Sequence, residues 1–292
     1  MLSPYSTPRP NRLGQALRRI VVGIALILPL SAFNALEALF APSADLWPRW
    51  EAHDPDATAT VDHAAWDALL ATYLQGDATG LNRFAYGRVS EADRTALRSY
   101  LDALAAVPIS RYSRAEQRAY WLNLYNALTV QVILDHYPTD SILDIDISPG
   151  LFADGPWDKD LITVEGEEIT LNDIEHRILR PIWDDPRIHY AVNCASVGCP
   201  NLQDMAFTAT NSERLLEQGA RSYINGPRGV RVENGDLIVS SIYVWFAEDF
   251  GRSDAQIIAH LKQYAEPDLA MALDGVSEIA DHAYDWTLNG AP

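Results

Sequence analysis

The chain has 292 residues, 48% of them hydrophobic, enough for one large domain or two small ones around a buried core. A formal net charge of −18 excludes an ordinary nucleic-acid binder, because a phosphate backbone must be met by basic surface. The two cysteines, Cys194 and Cys199, are too few for a disulfide framework.

The first forty residues differ from the rest. Arg9, Arg12, Arg18 and Arg19 precede the apolar run Ile20-Val21-Val22-Gly23-Ile24-Ala25-Leu26-Ile27-Leu28-Pro29-Leu30. A basic segment followed by a short apolar one is the order of a secretory signal. The run falls short of the roughly 20 residues that span a bilayer, and no clean small-x-small cleavage site follows. Residues 1–41 therefore read as a signal peptide or an uncleaved membrane anchor, and the protein as exported, periplasmic or tethered facing the periplasm. An ordinary buried or amphipathic N-terminal helix is the alternative.

Residues 42–60, with Pro42, Pro48 and Pro55, read as a linker, and 61–292 as a single α+β domain. Asp62 can cap a helix carrying Trp66, Leu69, Leu70 and Tyr73, which Gly76 and Gly80 end. Ser90 caps a second helix with Leu97, Tyr100, Leu101 and Leu104, closed by Pro108. Ser113-Arg114-Ala115-Glu116 is a capping box that opens a third and longest helix, running to about Tyr137 before Pro138. Its middle, Tyr120 to Leu128, is apolar nearly all round, so burial on several sides is expected. Glu116, Asn123 and Asn126 form a polar stripe on that helix. Each unpaired group there would cost about 1–3 kcal/mol, so the stripe either stitches neighbouring loops or lines a site.

Beyond a long irregular loop, Ser141 to Lys159, a short hairpin is expected around Glu165-Gly166-Glu167, then a brief helix from Asp173 to Arg180 stopped by Pro181. The stretch Arg187 to Asn193 alternates Ile188, Tyr190 and Val192 with His189, Ala191 and Asn193, which predicts a strand ending at Cys194. Ser212 to Asn225 is an amphipathic helix, and Asn234-Gly235 between Val230–Glu233 and Asp236–Val239 is a type I′ hairpin signal. Ile257 to Tyr264 marks a last helix, and Ala283 to Asn289 a final strand. The architecture expected is a helical N-terminal half packed on a small antiparallel sheet.

Chemistry concentrates where the predicted strand meets the Gly-Pro segment. A cysteine hydrolase or acyltransferase requires a thiolate, a histidine and a group that orients the imidazole. Cys194 could use backbone N–H groups at a turn to lower its pKa. His189 is the histidine nearest in sequence, but five extended residues span about 16 Å, so pairing requires a sharp bend after Val192. His282 with Asp285 is a rival base and orienter. The alternative is a simple disulfide closing a small loop in an oxidising compartment. Cys194, Cys199 and His189 lack a Cys-x-x-Cys pair and a fourth ligand, so no metal is expected, and no glycine loop for a phosphate cofactor is present.

Trp121-Leu122-Asn123-Leu124-Tyr125-Asn126-Ala127 and His189-Tyr190-Ala191-Val192-Asn193-Cys194-Ala195-Ser196, followed by Cys199-Pro200, resemble the domain of unknown function 547 family of bacterial exported and plant proteins. The strong part spans about residues 113–225, and Tyr284-Asp285-Trp286-Thr287-Leu288-Asn289 resembles the tail of bacterial members. The resemblance implies a papain-like or transglutaminase-like core with Cys194, His189 and Glu116 at its site. Asn123, Asn126, Asn193, Ser196 and Cys199 would line it. Serine at the position of Cys199 in some plant members points to Cys194 as the chemical residue. Two functions are thus expected in competition. One is a thiol-dependent hydrolase or acyl/amide transferase acting on a peptide-like, small-molecule or envelope-derived amide. The other is a non-catalytic envelope module held by a Cys194–Cys199 disulfide.

Overall fold

The computed structural model describes residues 41–149 and 155–291; all but the last residue of the signal or anchor segment predicted over 1–41 lies outside them. Three helices come first: α1 (Ala64–Tyr73), α2 (Glu91–Ala105) and α3 (Arg114–His136). The hairpin β1 (Leu74–Gly76) with β2 (Asn82–Phe84) follows α1 directly, so the glycines expected to end that helix belong to the hairpin instead. Ser90 and Ser113 each accept a backbone N–H in the first turn of their helix, as the cap chemistry requires. The N-cap of α1 is instead His63, which makes no side-chain cap bond, and Asp62 before it accepts the Ala64 N–H in a local turn. The capping box at Ser113 is only half made. The Glu116 carboxylate accepts the Val61 N–H at 2.7 Å, tying α3 to the segment before α1.

Helix α3 is the core. From Ala119 to Leu134 every side chain is buried, which is the expected consequence of a helix apolar on all faces. Helix α2 lies against it, with the Tyr120 hydroxyl donating to the Leu104 carbonyl at 2.9 Å. Residues expected as a linker are docked rather than free: Trp50 is buried edge-on to Trp121 at 5.0 Å, and the Asp45 and Trp47 N–H groups bind the His176 and Arg177 carbonyls.

After α3, β3 (Ile162–Val164) and β4 (Glu167–Ile169) form the expected hairpin. The next helix does not stop at Pro181. A π-helical stretch, Asp173–Leu179, runs without a break into α4 (Arg180–Trp183), and the His176 and Arg177 carbonyls that an N–H at Pro181 would have met accept the Asp45 and Trp47 N–H groups instead. Helix α5 is Ser212–Ile224. Strands β5 (Val230–Glu233) and β6 (Asp236–Ser240) pair through Asn234 (φ 56°) and Gly235 (φ 96°), the two positive φ values that a type I′ turn demands. Then come α6 (Ile242–Trp245), α7 (Asp254–Tyr264), α8 (Pro267–Ala272) and β7 (Asp281–Ala283).

The chain is α+β, but not with one antiparallel sheet. The described residues hold two separate hairpins and a three-stranded sheet in the order β5-β6-β7, where β7 runs parallel to β6. The tail beyond β7 is not the expected strand. It threads the helical core through single bridges, Thr287 to Ser141, Leu288 to Ser196 and Gly290 to Phe84.

Two apolar clusters result, one around α3 and one joining α5, β5, β6 and α7. The predicted strand at 187–193 is a 3₁₀ turn, Pro186–Tyr190, capped by Asp185 and closed by Ala191 and Val192 N–H bonds to the Ile188 carbonyl. Ile188 packs in the first cluster and Tyr190 in the second. Because Ile188 to Asn193 is buried throughout, its apolar alternation carries no strand information.

Candidate functional site around Cys194 and Cys199

The turn that ends the 3₁₀ segment is held by asparagines. Asn126 on α3 donates to the Ala191 carbonyl at 2.9 Å and accepts the Asn193 N–H at 2.8 Å. Asn123 does the same one helical turn earlier, to the carbonyl and N–H of Phe207 at 2.8 and 2.9 Å. Both stripe asparagines therefore stitch buried loops to α3, the first of the two roles open to them.

Asn193 continues the network. Its side chain donates to the Pro200 carbonyl at 2.7 Å and accepts from the Ala195 N–H and the Asn289 side chain. Ala195 has φ +60°, a left-handed conformation that costs a non-glycine residue on the order of 1 kcal/mol and persists only under constraint. The constraint is visible: its N–H is held by Asn193 and its carbonyl by the Asn289 N–H. Gly198 is required by close approach, since a Cβ there would lie 2.8 Å from the Asp285 nitrogen. The loop is thereby pinned along the tail, with Val197 N–H to Thr287 carbonyl at 2.8 Å and Gly198 N–H to Asp285 carbonyl at 2.7 Å.

Inside this loop Cys194 and Cys199 form a disulfide. Cys199 is 5% exposed, whereas Cys194 is only partly buried. The Cys194 N–H points at the Cys199 sulfur at 2.9 Å. The Tyr284 hydroxyl lies 3.0 Å from the Cys194 sulfur and donates to that of Cys199 at 3.2 Å, while accepting from Ser196 at 3.1 Å. Burial pushes the Tyr284 phenol far up, so it remains a donor. Trp245 and Trp286 pack on Tyr284 at 4.9 and 4.6 Å. Arg228 donates to the Val197 carbonyl of the same loop at 3.2 Å.

The three residues expected to act together are not brought together. Glu116 is engaged by Val61, near the start of α3 and ten residues, about 15 Å, from Asn126. His189 does not hydrogen-bond to Cys194. Its Nε2 meets Asp249 at 2.6 Å, its Nδ1 lies 3.6 Å from Glu175, and its ring stacks on Phe246 at 4.6 Å. The sharp bend needed to turn it toward Cys194 is spent instead on the 3₁₀ turn, which aims the imidazole at α4 and the 248–249 segment. The rival pair does not form either. His282 Nδ1 is bonded to Ser241 and lines a cleft with Arg252 and Asp254, while Asp285 accepts the Thr287 N–H.

His189 belongs to a second buried polar cluster. Arg180, its side chain 2% exposed, donates to Asp249 at 2.6 Å, to Glu248 at 2.8 Å and to Nδ1 of His176 at 2.9 Å. Burial alone would raise the Asp249 carboxyl, but the hydrogen bonds from His189 and Arg180 outweigh it and bring it down to about 2. Burial lowers His176 to about 4, with the adjacent Arg180 charge acting in the same direction against the Glu175 carboxylate. Tyr125 on α3 closes the cluster: burial, with the Glu175 carboxylate beside it, drives its phenol well above the ordinary range.

Sequence reading missed Arg180, Glu175, Asp249 and Tyr284. For Tyr284 a signal existed, the Tyr284–Asn289 tail motif; Asp249 sits in the aromatic-acidic run Trp245-Phe246-Ala247-Glu248-Asp249-Phe250. No group of three or more His, Cys, Asp or Glu side chains among the described residues is arranged to hold a metal ion, and no helix among them is long and apolar enough to cross a membrane.

No curated protein and no solved structure matches the chain. Residues 109–224, which hold α3, the His189 turn, the cysteine loop and α5, match the model of the family described as Protein of unknown function, DUF547.

Proposed function

We propose that the protein is an exported, non-catalytic envelope module, binding or structural in role, in which the asparagine clasps hold one rigid loop that carries the Cys194–Cys199 disulfide. The observation that carries this reading is the separation of thiol and imidazole chemistry. Cys194 is spent in a disulfide, and the histidine nearest to it in sequence is committed to Asp249 and Glu175. A nucleophile and its base must lie within hydrogen-bond reach. A disulfide also agrees with the basic-then-apolar N-terminal segment, since such bonds persist in oxidising compartments. Counting thiols on denatured protein recovered from the exported fraction tests it. Both cysteines blocked is the expected result; two free thiols, or a protein found only in the cytoplasm, overturns it.

A second reading has an observation of its own. The hydroxyls of Ser196 and Tyr284 lie 3.2 and 3.0 Å from the Cys194 sulfur, groups able to steady a thiolate once the disulfide is reduced. On that basis the reduced protein would be a thiol-dependent hydrolase or acyl/amide transferase of a peptide-like or envelope-derived amide, on a papain-like or transglutaminase-like core. Amide and ester turnover by reduced protein must then vanish in Cys194→Ala with folding intact; turnover equal to the parent's refutes it.

A further inference from the structure

We propose that the Cys194–Cys199 bond is an exchange site for an external dithiol, with Cys194 the sulfur attacked and Cys199 the leaving thiolate. This goes beyond a structural disulfide, for it assigns the loop a chemical reaction and each sulfur a separate part.

Three observations carry it. The first is access: Cys199 is 5% exposed while Cys194 is only partly buried, so Cys194 is the more accessible of the two residues to an incoming thiolate. The second is the placement of donors. The Cys194 N–H points at the Cys199 sulfur at 2.9 Å. The Tyr284 hydroxyl sits between the two sulfurs, 3.0 Å from that of Cys194, and donates to that of Cys199 at 3.2 Å, while the Ser196 hydroxyl donates to Tyr284 and so orients it. Donors aimed at the departing sulfur stabilise the charge it acquires, which speeds exchange through the leaving group. The Arg228 guanidinium, bound to the Val197 carbonyl of this loop, adds a positive charge nearby. The third is that the loop does not depend on the bond. Val197 and Gly198 are paired with Thr287 and Asp285, Asn193 with Pro200, and Asn126 with Ala191 and Asn193. Reduction therefore leaves the loop in place.

The reaction balances as a two-electron transfer. A thiolate of the dithiol bonds to the Cys194 sulfur as the Cys194–Cys199 bond breaks, and the electron pair goes to Cys199. The second thiol of the reductant, once deprotonated, attacks its own first sulfur in the mixed disulfide and expels Cys194 as thiolate. The reductant leaves as a disulfide, and the protein retains two reduced cysteines. Run in reverse, the same site oxidises a dithiol.

The test begins with protein oxidised by diamide until no free thiol remains. Dithiothreitol is then added in native buffer, and samples are quenched with maleimide over time while near-ultraviolet circular dichroism follows the fold. Reduction is expected to run to completion with an unchanged spectrum, and Tyr284→Phe is expected to slow it about tenfold, the loss of one hydrogen bond to a developing charge. In native buffer Cys194 of Cys199→Ser is expected to release thionitrobenzoate from 5,5′-dithiobis(2-nitrobenzoate) at least about tenfold faster than Cys199 of Cys194→Ser. Reduction that proceeds only as the spectrum is lost, or equal or reversed reactivity of the two single cysteines, overturns the proposal alone. Failure of diamide to join the cysteines overturns both this proposal and the disulfide-held module.

Discussion

Replacing Asn126 by alanine separates a scaffold from a site. The side chain is 2% exposed and makes two hydrogen bonds to backbone, one to the Ala191 carbonyl and one from the Asn193 N–H. Alanine leaves both backbone groups unpaired in a dry interior, at about 1–3 kcal/mol each. It recovers about 0.5 kcal/mol in helix propensity, so a net loss of about 2–5 kcal/mol is expected. Aspartate, almost the same shape, still accepts from Asn193 but turns an oxygen toward the Ala191 carbonyl. Its folded pKa should rise above the unfolded value of about 3.9, so its contribution is best retained below that pH and lost as pH climbs through the raised pKa. The assay is urea unfolding followed by the fluorescence of the eight tryptophans, at pH 7 and again near pH 5. A loss below about 1 kcal/mol in Asn126→Ala would refute the clasp, because a side chain that merely lines a site does not carry backbone satisfaction.

Three further outcomes follow from the same geometry. Burial, the largest influence on each, lowers His63, His176 and His260 to about 4, below the ordinary value of 6.5. Depressed folded pKa values mean stability present above pH 6.5 and lost as pH falls through 4, with a slope approaching about 4 kcal/mol per pH unit near pH 5; a slope of one proton or less from urea titrations would contradict it. Arg180→Met strands Asp249 and Glu248 without their cation and should cost about 3–5 kcal/mol, read as a fall in midpoint temperature; a change under about 1 kcal/mol would show that the cluster is not held by this charge. The double variant Cys194→Ser/Cys199→Ser should lose only about 2 kcal/mol, because the cysteines are 5 positions apart and close a short loop. Differential denaturation of oxidised protein and variant measures this, and a loss above about 4 kcal/mol would mean that the loop depends on the bond.

Local chemistry was legible in the chain. Ser90 and Ser113 mark helix starts because a hydroxyl satisfies an N–H within three residues, and Asn234-Gly235 marks a turn because few other residues adopt two positive φ values. The burial of α3 followed from an apolar circumference. What failed was period-reading at Ile188–Val192, where burial on every side removes the contrast that distinguishes strand from turn. The partners of the chemical residues were decided by the tertiary structure alone. His189 meets Asp249 across 60 residues and Cys194 meets Tyr284 across 90, pairings set by how two apolar clusters close on each other and by the tail threading between them. Backbone and cap chemistry acts over a few residues and is written locally, whereas a side chain's partner depends on which distant segment packing delivers to it.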